Sequence, residues 1–370
     1  MFILSRTKND TSVALDALRA VAAQMVCVGH AMSFFASDWR PANLALMQNV
    51  GVLLFFLISG FLITHTLIQK SNDPNYGFLQ FGSDRFARIY TGLIPALVFV
   101  AIIDGVTIYL TNDPVIQRYY TWKTIIANLF MLEGYRGILP NYLQWSAFGS
   151  ASPLWTLAIE WHIYIFVGSL FFMVARPKSF LYLIPVALFF GQSPVHFLFG
   201  AFQSDGVGRG LFALWLSGAL VYFLDRWPVA KFVPAAAIAL VGVAAFTATT
   251  LPGAEYNFIS YGLLAAVFFG LVAMSQSVHL ITSPAILKTI AFVADYSFSL
   301  YLVHHTIMYA IWTISPARGP GIFAIAVIVS NLVAIGLAEI GEKHHRRVAS
   351  FLRRKLPSGS KPTNIATDHG

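Results

Sequence analysis

Two ionisable side chains lie eleven residues apart in an otherwise apolar stretch: Arg19 and His30, in LDALRAVAAQMVCVGHAMSFF. In a helix, eleven steps make three turns plus about 20°, so both share one face, roughly 16 Å apart along the axis. Each ionisable group inside a membrane helix costs about 2.5–3.5 kcal/mol on the insertion scale, so such groups face the bundle interior and mark functional sites. A histidine is a general base near neutral pH, and a carboxylate beside it can orient the ring and stabilise its protonated form. The carboxylate expected at the depth of His30 is Glu160, in SPLWTLAIEWHIY, with Tyr164 at i+4 on the same face. His304, in YSFSLYLVHH, is placed at that depth by the same counting.

Each of these residues has a second reading. A membrane histidine can serve only as a hydrogen-bonding group between helices, and the His304–His305 pair can be packing. Arg19 can pair with Asp16, three residues earlier. Arg85 and Arg88, in SDRFARIYTGLIP just before the third apolar run, are either positive-inside anchors or an anion clamp, since guanidinium forks grip phosphate. Asp104 is a membrane carboxylate to which the sequence gives no role.

The elements that must position these groups are membrane helices. Of 370 residues, 57% are apolar and 11% charged, against about 25% charged in a soluble domain. Unrelieved apolar runs of bilayer-spanning length exclude a β-barrel and predict an all-α, polytopic helical bundle. Ten spans are expected, near 13–36, 49–70, 90–111, 153–175, 179–198, 208–225, 232–251, 258–275, 290–312 and 321–342. The run at 122–133 is too short to cross and reads as re-entrant or interfacial, with 134–152 as an external cap. Ser152 followed by Pro153 is a helix-start signal for the fourth span.

Lys/Arg bias places both termini in the cytoplasm. The expected division is a cytoplasmic N-terminus (1–12), one membrane domain (13–342) and a basic cytoplasmic tail (343–370). The tail should be partly disordered, with His344 and His345 on its surface. The net charge of +8 does not signal nucleic acid, because seven Lys/Arg fall between Lys343 and Lys361 in that tail. The first apolar run reads as an uncleaved helix, and the single Cys27 permits no intrachain disulfide. No histidine pair or cysteine cluster has metal-ligand spacing, and there is no Gly-rich phosphate loop or GxSxG elbow. Ser59–Gly60, in FFLISGFLI, reads as a close helix-packing site.

Taken in order, LDALRAVAAQMVCVGH, FFLISGFLI, RFARIYTGLIP, SPLWTLAIEWHIY and YSFSLYLVHH resemble the motifs of the acyltransferase-3 family of integral membrane acyltransferases. The resemblance covers about residues 11–342. It implies that His30 is the catalytic histidine and Glu160 an important site carboxylate. It also implies that Arg19, Arg85 and Arg88 help bind the acyl donor or hold the site. Trp161 and His162 depart from the polar or acidic residues common there. The resemblance is to members without a fused extracytoplasmic esterase-like domain.

The expected reaction is transfer of an acyl group, most often acetyl, from cytoplasmic acyl-CoA as donor substrate, with no tightly bound cofactor. The acceptor would be a hydroxyl of a carbohydrate, a lipid-linked glycan or a small molecule. Arg85 and Arg88 would hold the CoA phosphates, His30 would take the hydroxyl proton and Glu160 would steady the imidazolium, with Tyr164 and His304 as further substrate-site residues. The expected location is a bacterial inner membrane. The rival reading is a proton-coupled transporter of a small anion, which also uses membrane Arg, His and Glu. No internal repeat or paired broken helices support it.

Overall fold

A computed structural model of the chain describes residues 10–39, 44–133, 145–176, 179–190, 210–224, 231–278 and 283–356. Apolar sequence makes them almost entirely helical: α1 (Thr11–Phe35), α2 (Met47–Lys70), α3 (Phe78–Thr111), α4 (Pro114–Tyr119), α5 (Trp122–Leu129) and α6 (Leu154–Ala175) come first. There follow α7 (Leu183–Phe190), α8 (Leu211–Val221), α9 (Phe232–Thr249), α10 (Phe258–Ser277), α11 (Pro284–Asp295), α12 (Ser297–Ile314), α13 (Pro320–Ile340) and α14 (His345–Lys355). The chain is a multi-pass helical bundle. Seven described helices are long and apolar enough to cross a membrane, or eight if α11 and α12 count as one bent span. Two of the ten expected spans, 179–198 and 208–225, lie only partly within the described residues, as α7 and α8.

α1 is the hub and packs against α2, α10, α11, α12 and α13. α3 packs against α6, α12 and α14. Small residues bring α2 and α8 together. A Cβ on Gly60 would lie 2.0 Å from the Trp215 carbonyl oxygen, and one on Gly218 would lie 2.2 Å from that of Leu57. The close-packing reading of Ser59–Gly60 holds for Gly60.

Three features differ from the sequence expectation. First, α3 begins at Phe78, so Arg85 and Arg88 stand inside the helix and not before it. Gly77 donates its N–H to the Gln80 side chain at 3.0 Å, which starts the helix early. Second, the expected span at 290–312 is broken at Tyr296 and bent by 53°. No Pro or Gly marks the break. The freed Ser299 N–H and hydroxyl both donate to Glu342, each at 2.9 Å. A carboxylate at the start of a helix satisfies orphan donors and complements the helix dipole.

Third, part of the expected cap turns into the bundle, with Phe148 and Ser150 buried. Tyr120 donates to the Ala101 carbonyl at 2.8 Å, and Tyr90 to that of Leu129 at 2.6 Å. Ala101 and Tyr90 are eleven residues apart on α3, roughly 16 Å, so α5 descends alongside it. The chain returns through Phe148 N–H to Asn128 (2.8 Å) and Gly149 N–H to the Tyr119 carbonyl (3.2 Å). Such irregular backbone is tolerated at membrane depth only when protein groups satisfy it. The rest of the expected cap, 134–144, lies outside the described residues, as does the tail from 357. Residues 345–355 of the tail form α14 against α3, and His344 and His345 are both partly buried, not on an open surface.

Replacing Gly218 with Val should push α2 and α8 apart and cost about 1–3 kcal/mol. Gly262→Ala, where an added Cβ meets nothing within 4 Å, should be tolerated. Thermal unfolding of the two purified variants in one detergent compares them directly; equal midpoints would contradict this packing.

Candidate active site

At the end of the bundle that carries α14, residues of α1, α2, α3 and α14 enclose a vestibule of about 570 Å³. Seven cationic side chains line it (Arg19, Lys70, Arg85, Arg88, Lys343, Arg346 and Arg353) against four carboxylates (Asp16, Asp84, Asp295 and Glu342). Most of the inward charges are paired. Arg19 contacts Asp16 at 2.9 Å, and Arg88 contacts the buried Glu342 at 3.2 Å. Lys70 and Arg353 share Asp84, at 3.1 and 3.2 Å. Asp84 also accepts from the Tyr76 hydroxyl at 2.9 Å. Burial, then the neighbouring carboxylate, hold the Tyr76 phenol above its usual pKa, so it stays a donor.

Among the described residues two of the seven have no ion pair: Arg346, which is exposed, and Arg85, which is partly buried and whose Nε is buried without a hydrogen-bond partner. Its guanidinium lies 5.8 Å from the Phe81 ring centroid. A cation left unpaired in a basic cavity is a site for an anion. Arg19 therefore takes its structural pairing while also lining the cavity, and Arg85 and Arg88 are not equivalent.

A narrower cavity of about 170 Å³ shares Arg19, Leu62, Arg85 and Arg88 with the vestibule and adds Ser59, Glu160, Tyr164 and Ser297. Ser59, Tyr164 and Glu160 form one directed chain, which Trp215 extends from outside the cavity. Trp215 Nε1 donates to Ser59 (3.1 Å), Ser59 donates to the Tyr164 hydroxyl (2.8 Å), and Tyr164 donates to Glu160. A third, small space of about 50 Å³ shares Phe55, Glu160 and Phe298 with the second and reaches Thr156 and Tyr301. The Tyr301 ring is 6.0 Å from the His304 ring, and His304 is 5.2 Å from His30.

Glu160 and His30 are thus not level, as counting from the helix ends implies. Among the described residues no hydrogen bond or ion pair joins them. Thr156 is hydrogen-bonded to Tyr301, which makes those two residues the common level of α6 and α12. α6 descends to Glu160 one turn below and α12 rises to His304 about one turn above, a separation on the order of 10 Å. The fourth span starts deeper than Ser152–Pro153 suggests, because Ser150 is anchored inside the bundle.

That anchor is Asp104. Its carboxylate accepts from Ser150 N–H and from Ser150 Oγ, both at 2.7 Å. Ser150 Oγ also lies 2.8 Å from Thr306 Oγ1. The Ser150 carbonyl accepts from His305 Nδ1 at 2.7 Å. Three imidazoles therefore meet, since His30 lies 5.2 Å from the rings of both His304 and His305. His304 is fully buried, with Nδ1 on the Leu300 carbonyl at 3.0 Å and Nε2 without a partner. Sequence reasoning identified His30 and His304 but gave His305 and Asp104 no task. Asp104 was visible as an isolated membrane carboxylate; its partner Ser150, 46 residues on, carries no local signal.

A family profile described as an acyltransferase domain matches residues 12–339, nearly all of the bundle. The chain belongs to the acyltransferase-3 family. Among its relatives, a Staphylococcus aureus protein named provisionally as an O-acetyltransferase is 30% identical over 154 residues, 41% of this chain and 23% of that protein. An O-acetyl transferase of Shigella phage Sf6 is 26% identical over 178 residues, 46% of this chain and 49% of its own. An uncharacterized Haemophilus influenzae protein is 32% identical over 145 residues, 37% of this chain and 56% of its own. The matches thus span between a quarter and about half of these relatives' lengths. No solved structure matches the chain. In this acyltransferase-3 domain, the residues matched to the family's motifs fall into two groups: Arg19, Arg85, Arg88, Glu160 and Tyr164 around the inner cavities, and His30 and His304 above them.

Glu342 joins the vestibule to the broken helix, so its variants should rank. Glu342→Gln keeps an acceptor for Ser299 and loses the charge facing Arg88. Glu342→Ala loses both, leaving buried donors unsatisfied at about 1–3 kcal/mol. Thermal stability should fall in the order wild type, Gln, Ala; an Ala variant as stable as wild type would contradict the role given to Glu342.

Proposed function

We propose that the protein is an O-acyltransferase that moves an acyl group, acetyl in the first instance, from cytoplasmic acyl-CoA to a hydroxyl of a carbohydrate or related acceptor. The observation that carries this reading is the series of cavities with shared walls, from the basic vestibule past Glu160 to Tyr301, whose ring lies 6.0 Å from that of His304. Arg85, the partly buried cation without a carboxylate, would take a CoA phosphate together with Arg88, and Arg346 and Arg353 would add to the attraction. The thin pantetheine arm would rise past Ser59, Tyr164 and Glu160. The roughly 16 Å from Arg19 to His30 suits an arm of that kind.

At the top, the His30 imidazole would take the proton of the acceptor hydroxyl as its oxygen attacks the thioester carbonyl. CoA would leave as the thiol, carrying that proton on from His30. Glu160 then acts along the donor arm and not as the partner of His30. Above the histidines, Phe34, Tyr309 and Trp312 pack ring to ring within 6.2 Å of one another. Aromatic rings present faces against which the C–H face of a sugar packs, which supports a carbohydrate acceptor. The O-acetyl transferase named in the phage relative supports acetyl. A bacterial inner membrane is the proposed setting, with the vestibule facing the cytoplasm.

The test uses protein in nanodiscs with radiolabelled acetyl-CoA, scoring both donor hydrolysis and transfer. His30→Ala should lower turnover by about 10²–10⁴-fold, the usual contribution of a general base. Arg85→Ala should instead raise the acetyl-CoA KM about tenfold or more, with turnover little changed, since charge-assisted hydrogen bonds contribute about 1.5–3 kcal/mol. Full activity of His30→Ala would overturn the assignment. Failure of acetyl-CoA to raise the thermal midpoint of the wild type would favour transport instead.

A further inference from the structure

We infer that His305 is the group that orients the His30 base, and that Asp104 acts through Ser150 to hold it there as a positioning residue. This deepens the reading above and rests on it. The carboxylate expected to serve His30 was Glu160, which sits about two turns lower. What faces His30 instead is a pair of imidazoles, each with its rings 5.2 Å away.

The hydrogen bonds fix how the two present themselves. A carbonyl oxygen only accepts, so His305 Nδ1 carries the proton it donates to Ser150. A neutral imidazole has one N–H, so Nε2 of His305 is left as a lone pair. The same holds for His304, whose Nδ1 donates to Leu300. His30 makes no hydrogen bond of its own among the described residues. It is the one ring of the three with both nitrogens uncommitted. It can give an N–H to a neighbouring lone pair and keep its other nitrogen for the acceptor hydroxyl. His304 is sealed in the core, whereas His305 is only partly buried and meets His30 edge to face at 87°.

His305 is held from below by a saturated strut. Ser150 spends every polar atom. Its N–H and hydroxyl go to Asp104, its carbonyl takes the His305 proton, and its Oγ also lies 2.8 Å from Thr306 Oγ1. Asp104 has no exposure and sits on α3, a different element from either histidine. Gly149, at φ +55°, completes the fit, since a Cβ there would lie 1.9 Å from Asp104 Oδ2. Left-handed backbone and the lack of room both require glycine. An ionisable residue buried at this depth needs a reason to be kept; fixing the His305 tautomer supplies one.

Two substitutions of His305 separate this role from packing. Asn places its amide near Nδ1 and keeps the bond to Ser150; Gln places its amide near Nε2 and keeps an acceptor towards His30. If His305 orients His30, His305→Gln should retain about tenfold more turnover than His305→Asn, at unchanged acetyl-CoA KM. Asp104→Ala should lower turnover by about 10–100-fold by the same route, and Asp104→Asn, which keeps one acceptor, by less. Asn equal to or better than Gln would overturn the proposal. Where the Asp104 variants fail to fold, the His305 pair still decides.

Nitrogen-15 spectra of histidine-labelled protein in liposomes give a readout independent of activity. The His305 signal, assigned by its loss in His305→Gln, should show a protonated Nδ1; a protonated Nε2 in the wild type would also overturn the proposal. His30→Ala, run alongside, separates the two levels. If it retains full activity, the acyl-transfer reading fails. If it is dead while Asn matches Gln, only the role of His305 fails.

Discussion

The carboxylate of Glu342, buried at the break between α11 and α12, is the interaction on which the arrangement depends. It receives the Ser299 N–H and hydroxyl on one side and the Arg88 guanidinium on the other. Both needs are strict in an apolar bundle: a freed helix N–H must find an acceptor, and a buried charge must find its opposite. By meeting both, Glu342 lets the span bend by 53° without a proline. The bend sets the rise of α12, and α12 carries Tyr301, His304 and His305. The same residue therefore holds Arg88 and sets the height of the histidines.

A second consequence is a division of charge along the bundle axis. At the end that carries α14 the vestibule has cations in excess of carboxylates, and among the described residues Arg85 pairs with none. Further up, the polar groups are neutral donors aimed at one acid, as in the run from Trp215 through Ser59 and Tyr164 to Glu160. Higher still the three imidazoles meet. On the proposed function, an anionic head with a long neutral arm and a reactive end would follow that order.

Much of this was legible in the sequence. Composition and run length gave the polytopic bundle, and five motifs in order gave the family. The Arg19–Asp16 pair and the Gly60 contact followed from local spacing. What failed was depth. Counting from helix ends assumed that each span begins at the bilayer surface, whereas Asp104 pulls Ser150, and with it the start of α6, into the bundle. That pull is a contact between residues distant in sequence, so no periodicity reports it. The break at Tyr296 was hidden for a similar reason, because its signal is a glutamate 43 residues after Ser299. Arg85 and Arg88 looked like anchors before a helix because the polar turn that opens α3 does not read as apolar sequence.

The central claim is that donor and base meet through the interior, with the CoA head at Arg85 and the acyl end at His30. An experimental structure of the protein in nanodiscs with a non-hydrolysable thioether analogue of acetyl-CoA tests this most directly. The account predicts phosphate density against Arg85 and Arg88, an arm running past Tyr164 and Glu160, and the acetyl carbon beside the His30 ring. An analogue bound on the outer face, or one whose arm leaves the vestibule without passing Glu160, would contradict it.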